Sequence, residues 1–320
     1  MLNMGGGVIF AIDDFPQDTV SSKETVSSRS MDSCYNFQHM TQPPDQSISV
    51  ILNKHGIKPD KNLGQNFLTD THILEKIIQI ARVTDQDTVL EIGAGLGHLT
   101  AHLAQTARRV TAVELDERFL PVLEERLAPF SNIKLVQGDI LQLDTSDLVQ
   151  DNNYLVVANI PYYITSRIIR NLLESDLKPN RIILTIQYEV ARRVCAKSGR
   201  MSILALSVLM YGEPKLELKI PAGSFFPPPK VDSAVIQIDL YPEPILPGNL
   251  RDLFFELIKA GFLHKRKTLR NSFSKGLGWS PEEVEGLLSG AGINSQRRAE
   301  SLTMTEWVEL THGYDNILSS

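Results

Sequence analysis

The chain has 320 residues, 42% hydrophobic and 22% charged, a composition that belongs to a globular protein with room for one large domain and a smaller one. A formal net charge of -6 and an isoelectric point near 5.7 exclude a uniformly basic nucleic-acid binder, so any polyanion must be met by local basic patches. Two cysteines, Cys34 and Cys195, are too few for a disulfide framework or a zinc cluster and read as free thiols in a reducing compartment, and no apolar run approaches the ~18 residues that span a membrane.

Residues 1–48 stand apart. They are rich in Ser, Thr, Asp and Gln, and acids such as Asp13, Asp14 and Asp18 outnumber the basic Lys23 and Arg29. A transit peptide is Arg-rich and acid-poor, and a secretory signal needs a basic start and a longer apolar run. The segment is expected to be a disordered extension, with Met31 or Met40 as alternative starts, on a soluble cytoplasmic protein.

From residue 49 strands alternate with helices. Residues 88–92 form a β-branched strand ending in a glycine loop, followed by a helix over 98–107, a strand over 110–114 and a helix over 117–127. Strands follow at 133–136, 154–159 and 181–186, and this order predicts a doubly wound parallel sheet. Residues 233–240 alternate like an antiparallel edge strand. Pro242, Pro244 and Pro247 then break the chain, and helices are expected over 250–262, 266–274, 281–289 and 304–311. The fold class is therefore α/β: a Rossmann-like domain over 49–243 and a small all-helical domain over 244–320.

Glu91-Ile92-Gly93-Ala94-Gly95-Leu96-Gly97 follows a strand and opens a helix, where glycines allow a tight turn and close approach of a ligand. Glu114 ends the next strand, where a carboxylate accepts both hydroxyls of a ribose. Asp139 follows the third strand and suits an adenine amine. The G-x-G-x-G spacing differs from that of pyrophosphate binders, and the set favours S-adenosylmethionine over NAD or FAD.

After the fourth strand comes Asn159-Ile160-Pro161-Tyr162. An adenine amine is a poor nucleophile because its lone pair is delocalised into the ring. The Asn159 side-chain oxygen and the Ile160 carbonyl would accept its hydrogens, Pro161 would stiffen the turn, and Tyr162 would stack an unstacked or flipped base.

The quartet resembles the signature of amino-methyltransferases acting on adenine, cytosine or glutamine. With Lys61-Asn62-Leu63-Gly64-Gln65-Asn66-Phe67-Leu68, Phe225-Phe226-Pro227-Pro228-Pro229-Lys230-Val231-Asp232-Ser233, Lys265-Arg266-Lys267-Thr268-Leu269-Arg270-Asn271 and Arg298-Ala299-Glu300-Ser301-Leu302, the chain resembles the KsgA/RsmA family of ribosomal RNA adenine dimethyltransferases from residue 49 to about 310. That resemblance implies a class I S-adenosylmethionine-dependent methyltransferase acting on two adjacent adenines near the 3′ end of small-subunit rRNA. It implies that Asn66 and Leu68 close over the cofactor's methionine end, that Gly93 and Gly95 line the loop, that Glu114 holds the ribose and Asp139 the adenine, and that Asn159 touches both cofactor and target. Phe225 would sandwich the base with Tyr162, Phe226 reads as a core aromatic, and Tyr163 is given no role.

Residues 181–230 hold eight basic side chains, Arg192, Arg193 and Lys230 among them, against three acids. Lys265, Arg266, Lys267 and Arg270 form a second cluster, expected along a helix. Both are candidate phosphate contacts. His98 and His102 lie four apart but lack a third ligand, so no metal is expected. The expected partner is rRNA in the pre-ribosomal small subunit, met by a monomer. Two alternatives stay open: a large-subunit rRNA adenine methylase of the erythromycin-resistance type, and a non-catalytic assembly or transcription factor on the same fold.

Overall fold

The computed structural model describes residues 48–60 and 63–320, so the expectation for residues 1–47 lies outside the described residues, as does Cys34. Ile48 is 6% exposed and opens a helix, which moves it out of the expected extension and into the folded part.

The first elements are α1 (Ile48–Lys54), a short strand β1 (Phe67–Leu68) and α2 (Thr71–Ala81). Asp70 starts α2 by accepting hydrogen bonds from the backbone N–H groups of His72 and Ile73. The alternating part then runs β2 (Thr88–Ile92), α3 (His98–Thr106), β3 (Arg109–Glu114), α4 (Leu120–Leu127), β4 (Ile133–Gln137), α5 (Thr145–Leu148), β5 (Tyr154–Asn159), α6 (Thr165–Glu174), β6 (Arg181–Gln187), α7 (Tyr188–Val194) and α8 (Ile203–Leu209). It closes with β7 (Gly212–Ile220), β8 (Phe225–Phe226) and β9 (Ser233–Leu240). Four helices follow: α9 (Gly248–Phe262), α10 (Leu269–Leu277), α11 (Pro281–Gly290) and α12 (Met304–Leu318).

The main sheet has the order β4-β3-β2-β5-β6-β9-β7. The strands from β4 to β6 are parallel, and β9 runs antiparallel to both of its neighbours. Strands buried on both faces need apolar side chains at nearly every position, as Val-Leu-Glu-Ile, Leu-Val-Val-Ala and Ile-Ile-Leu-Thr-Ile supply in β2, β5 and β6. One face, with Val89, Val157, Ile183 and Val235, packs on α1 to α4. The other, with Leu90, Val156, Leu184 and Ile236, packs on α6 to α8 and on the terminal helices through Phe254, Leu257 and Trp307.

Three expected elements differ. Residues 233–240 are not an edge strand, because β7 covers them, and Ser233 to Ile238 are buried on both faces. Residues 117–127 divide into a single 3-10 turn, Glu117–Phe119, capped by Asp116, and then α4, with Pro121 in its first turn. Residues 266–274 are not one helix. The chain leaves α9 through a turn over 263–267 and re-enters at Leu269, beyond Thr268, whose extended backbone cannot continue a helix.

Candidate cofactor and target-base site

The strands β2, β3, β4 and β5 end at one edge of the sheet, and a cleft of about 1080 Å³, open mouth included, lies there. Ligands of open α/β sheets bind outside the carboxyl ends of the strands. The loop after β2 bends with Gly93 at φ +78° and Gly95 at φ +55°, and a Cβ on Gly95 would come within 3.2 Å of the Phe67 ring. Only glycine takes that backbone without strain while keeping the floor of the cleft open.

Glu114 is 7% exposed. Its Oε2 accepts the Gly95 N–H at 2.7 Å and its Oε1 the Asp116 N–H at 2.9 Å. Each oxygen keeps a lone pair, a spacing that suits two neighbouring hydroxyls. Burial pushes its carboxyl above the usual range, while the two N–H groups oppose that. Asp139, half-buried, accepts the Leu141 N–H at 3.0 Å. Glu91 is 1% exposed, and its Oε2 has no partner although the side chain lines the cleft. Burial pushes it up to about 8, the Thr100 hydroxyl working against this and the Glu114 carboxylate with it. His98 also lines the cleft, and burial, with Arg126 and His102 nearby, lowers it to about 3, so it stays neutral. An open glycine floor, a two-pronged carboxylate and an orphaned buried carboxyl oxygen fit an adenosyl cofactor that carries an ammonium group.

Asn66, Leu68 and Asn159 meet on the other side. The Asn159 Nδ2 donates to the Asn66 carbonyl at 3.1 Å, the Asn66 Nδ2 to the Gly64 carbonyl at 3.0 Å, and Leu68 is 4% exposed. Since its nitrogen is engaged by the 63–68 strap, Asn159 turns its oxygen away from that carbonyl. Tyr162 sits in a 3-10 turn directly after Pro161, its hydroxyl 2.6 Å from the Ser233 Oγ. Ile160 is 2% exposed and anchors the turn in the core.

Phe225 and Phe226 form β8, antiparallel to β1, with Phe67 opposite Phe226 and Leu68 opposite Phe225. Phe225 is 3% exposed and Phe226 39%, which reverses the expectation that Phe226 is the core aromatic. Strand alternation is the cause: one ring of an adjacent pair must face outward. The structure thus brings Asn66, Leu68, Gly93, Gly95, Glu114, Asp139, Asn159, Ile160 and Tyr162 to one cleft and leaves Phe225 out of its lining, buried in the core cluster that includes Phe67 and Leu68.

The basic residues are more dispersed than their spacing implies. Arg192 is exposed, its guanidinium 6.0 Å from the Tyr188 ring, Arg193 is half-buried, and Lys230 is exposed. Acids just beyond the 181–230 window offset its charge: Asp239 pairs with Arg181 at 2.6 Å and with Lys215 at 3.5 Å, and Asp232 with Lys219 at 2.8 Å. Lys265, Arg266 and Lys267 are exposed in the turn before α10, whereas Arg270 is half-buried on the helix with its Nε 3.9 Å from Glu285.

Three contributors went unassigned in the sequence. Gln65 ties the strap to the segment after β3, accepting the Asp60 N–H at 2.7 Å and donating to Asp116 at 2.8 Å. Ser233 holds Tyr162, and Glu91 lies under the loop. All three belong to motifs quoted above, but only their place in the fold reveals their part. Among the described residues no helix is long and apolar enough to cross a membrane, and no group of three or more His, Cys, Asp or Glu is placed to hold a metal.

The family model for ribosomal RNA adenine dimethylase matches residues 56–315. A ribosomal RNA small subunit methyltransferase A of Dehalococcoides mccartyi is 43% identical over 265 residues, 82% of this chain and 91% of the relative. The protein of that name from Bacillus licheniformis is 40% identical over 278 residues, 84% and 95% of the two chains. Among solved structures, the 23S rRNA methyltransferase ErmE superposes with a TM-score of 0.65 at 29% identity, covering 78% of this chain and all of its own. A dimethyladenosine transferase from Plasmodium falciparum reaches 0.67 at 24% identity over 78% and 98%, which supports the fold. With a class I methyltransferase fold, a cleft suited to S-adenosylmethionine and a family match across most of its length, the chain belongs to the ribosomal RNA adenine dimethylase family.

Proposed function

We propose that this protein dimethylates the exocyclic amines of two adjacent adenines near the 3′ end of small-subunit rRNA, with S-adenosylmethionine as methyl donor. The observation that carries the reading is the orientation of Asn159, whose amide nitrogen is engaged by Asn66 so that its oxygen is left for an incoming amine. S-adenosylmethionine supplies an electrophilic methyl on a sulfonium. Gly93, Gly95, Glu114 and Asp139 hold it, with Asn66 and Leu68 closing over its methionine end. Asn159 and the Ile160 carbonyl accept the two amine hydrogens and draw the nitrogen towards tetrahedral geometry, so that its lone pair is freed from the ring. Tyr162, fixed through Ser233, stacks the flipped base. No general base is needed, because the alkylated amine is acidic enough to lose its proton to water. Phe225, 3% exposed and opposite Leu68 in the β1–β8 pair, has to become accessible before it can serve as a second stacking face.

The enzyme acts on rRNA within the pre-ribosomal small subunit, as a monomer in the cytoplasm, with Arg192, Arg193, Lys230, Lys265, Arg266, Lys267 and Arg270 meeting phosphates. The helical part from residue 244 presents the second basic cluster. The small-subunit reading is preferred to the large-subunit one because the relatives at 40% identity and above carry small-subunit names, while ErmE stands at 29%. Purified protein with tritiated donor is to be offered undermethylated small subunits and, separately, large subunits, and the labelled bases mapped. Paired dimethyladenosines on the small subunit are expected. Label on the large subunit favours the rival enzyme, and binding without label the assembly factor.

A further inference from the structure

Two large apolar side chains among the described cleft-lining residues are exposed, Leu115 at 48% and Tyr163 at 57%. Leu115 follows Glu114 and sits on the cofactor's adenosine side. Tyr163 follows Tyr162 and sits on the side of Asn159, where the target enters. We propose that Tyr163 is a substrate-positioning residue that stacks the adenine beside the one held in the cleft, so that one base of the adjacent pair is bound on the lip while its neighbour is methylated. The assignment rests on the reading above that two adjacent adenines are the target.

The geometry supports a platform more than a plug. Tyr163 lies in the 3-10 turn Tyr162–Ile164, which is pinned at both ends: Ile160 is buried before it, and the Thr165 hydroxyl donates to the Tyr162 carbonyl at 3.1 Å after it. Its ring is flanked by the Gly64 turn of the strap, where a Cβ would come to 3.4 Å from Cδ1 and 3.5 Å from Cε1. Gly64 stands at φ +62°, a backbone that favours glycine, and its turn lies against that ring. An aromatic ring held on a rigid turn, beside a pocket that takes one flipped base, offers a π-face to the next base in a single strand. Consecutive residues Tyr162 and Tyr163 would then read consecutive bases, one inside and one outside. Stacking needs no sequence-specific edge contact, so the platform would serve whichever of the two adenines is outside.

A purely structural role, packing the strap through Gly64, makes a different forecast, because it would move cofactor binding. The test compares Tyr163→Leu, which keeps apolar bulk but no ring face, with Tyr163→Phe, on undermethylated small subunits. Measured are KM for the subunit, the fraction of pairs methylated on one base only, the cofactor Kd by calorimetry and the melting temperature. For Tyr163→Leu, KM should rise roughly tenfold, in line with loss of one base–aromatic stack. Singly modified pairs should accumulate, with cofactor Kd and melting temperature unchanged, and Tyr163→Phe should restore the wild-type pattern. Three results overturn the assignment: a Tyr163→Leu enzyme with wild-type KM and products, an equal loss in Tyr163→Phe, or a loss that tracks weakened cofactor binding. Wild-type protein that leaves the pair unmethylated overturns the functional reading itself, and this assignment with it.

Discussion

In the proposed mechanism the chemistry turns on Asn159. Its oxygen would meet an amine that grows more positive as the methyl arrives, so it should serve the transition state more than ground-state binding. Asn159→Ala is expected to lower single-turnover methylation by about 10²–10³-fold, a typical cost for one preorganised polar group, and to leave subunit affinity nearly unchanged by filter binding. Full activity in the variant would remove Asn159 from the mechanism. Glu114→Ala should weaken S-adenosylmethionine by roughly 2–4 kcal/mol in calorimetry, because two charge-assisted hydrogen bonds go and the Gly95 N–H loses its acceptor. Glu91 gives a pH signature instead. It keeps its proton up to about pH 8 in the fold, whereas the unfolded chain gives it up near 4.5. Stability from this group is therefore complete below pH 4.5 and is lost as pH rises towards 8, on the order of a few kcal/mol across the window. Glu91→Gln should flatten that slope between pH 5 and 8 in urea melts; two parallel slopes would assign the effect elsewhere. The placement of Glu91 at the cleft was not legible in the sequence, whereas that of Glu114 and the Asn159 quartet was, from residue type and position at strand ends. The partners that aim them were not, because Ser233 and Gln65 act across 71 and 51 residues of chain.

At the scale of elements, β2, β5 and β6 were readable to within a residue or so because both of their faces are buried and nearly every position is apolar, whereas β4, only half-buried at Ile133, Leu135 and Val136, was readable from its place in the alternating order. β7 went unassigned although Glu213, Lys215, Glu217 and Lys219 alternate in sequence with Pro214, Leu216, Leu218 and Ile220, because this largely exposed edge strand buries little and its lysines read as part of a basic patch. The β1–β8 ladder has two residues a side, and no local pattern announces so short a pairing across 157 residues. The α9–α10 crossing is another long-range feature with a local test. A Cβ on Gly276 would come within 2.6 Å of both the Cα and Cβ of Ala260. Alanine gains about 1 kcal/mol over glycine in helix propensity, but overpacking against backbone costs about 1–3 kcal/mol, so the clash should win. Gly276→Ala is expected to lower the melting temperature by a few degrees; a rise would mean that the two helices separate easily.

For the whole molecule, a chain of net charge -6 has to bind a polyanion through a few exposed basic side chains. Arg266 and Lys267 project from the turn between α9 and α10, beyond the reach of the packing that draws Arg270 towards Glu285. Replacing both with alanine should weaken subunit binding and reduce the salt slope by about 1.5, with a near-normal rate at saturating subunits. An unchanged slope would place the phosphate contacts elsewhere. The same four helices have a second property. Phe254, Leu257 and Trp307 lie in one continuous apolar cluster with Leu206, Ile236 and Ile238, so the terminal helices and one face of the sheet share a core. A shared core melts as a unit and cannot be traded as a cassette. Cutting the chain near residue 244 would leave a wide greasy face on the sheet and invite aggregation, where a separable module would leave a working remnant. Changes in which RNA this scaffold recognises are thus confined to its turns and surface side chains, where a substitution leaves the common interior untouched.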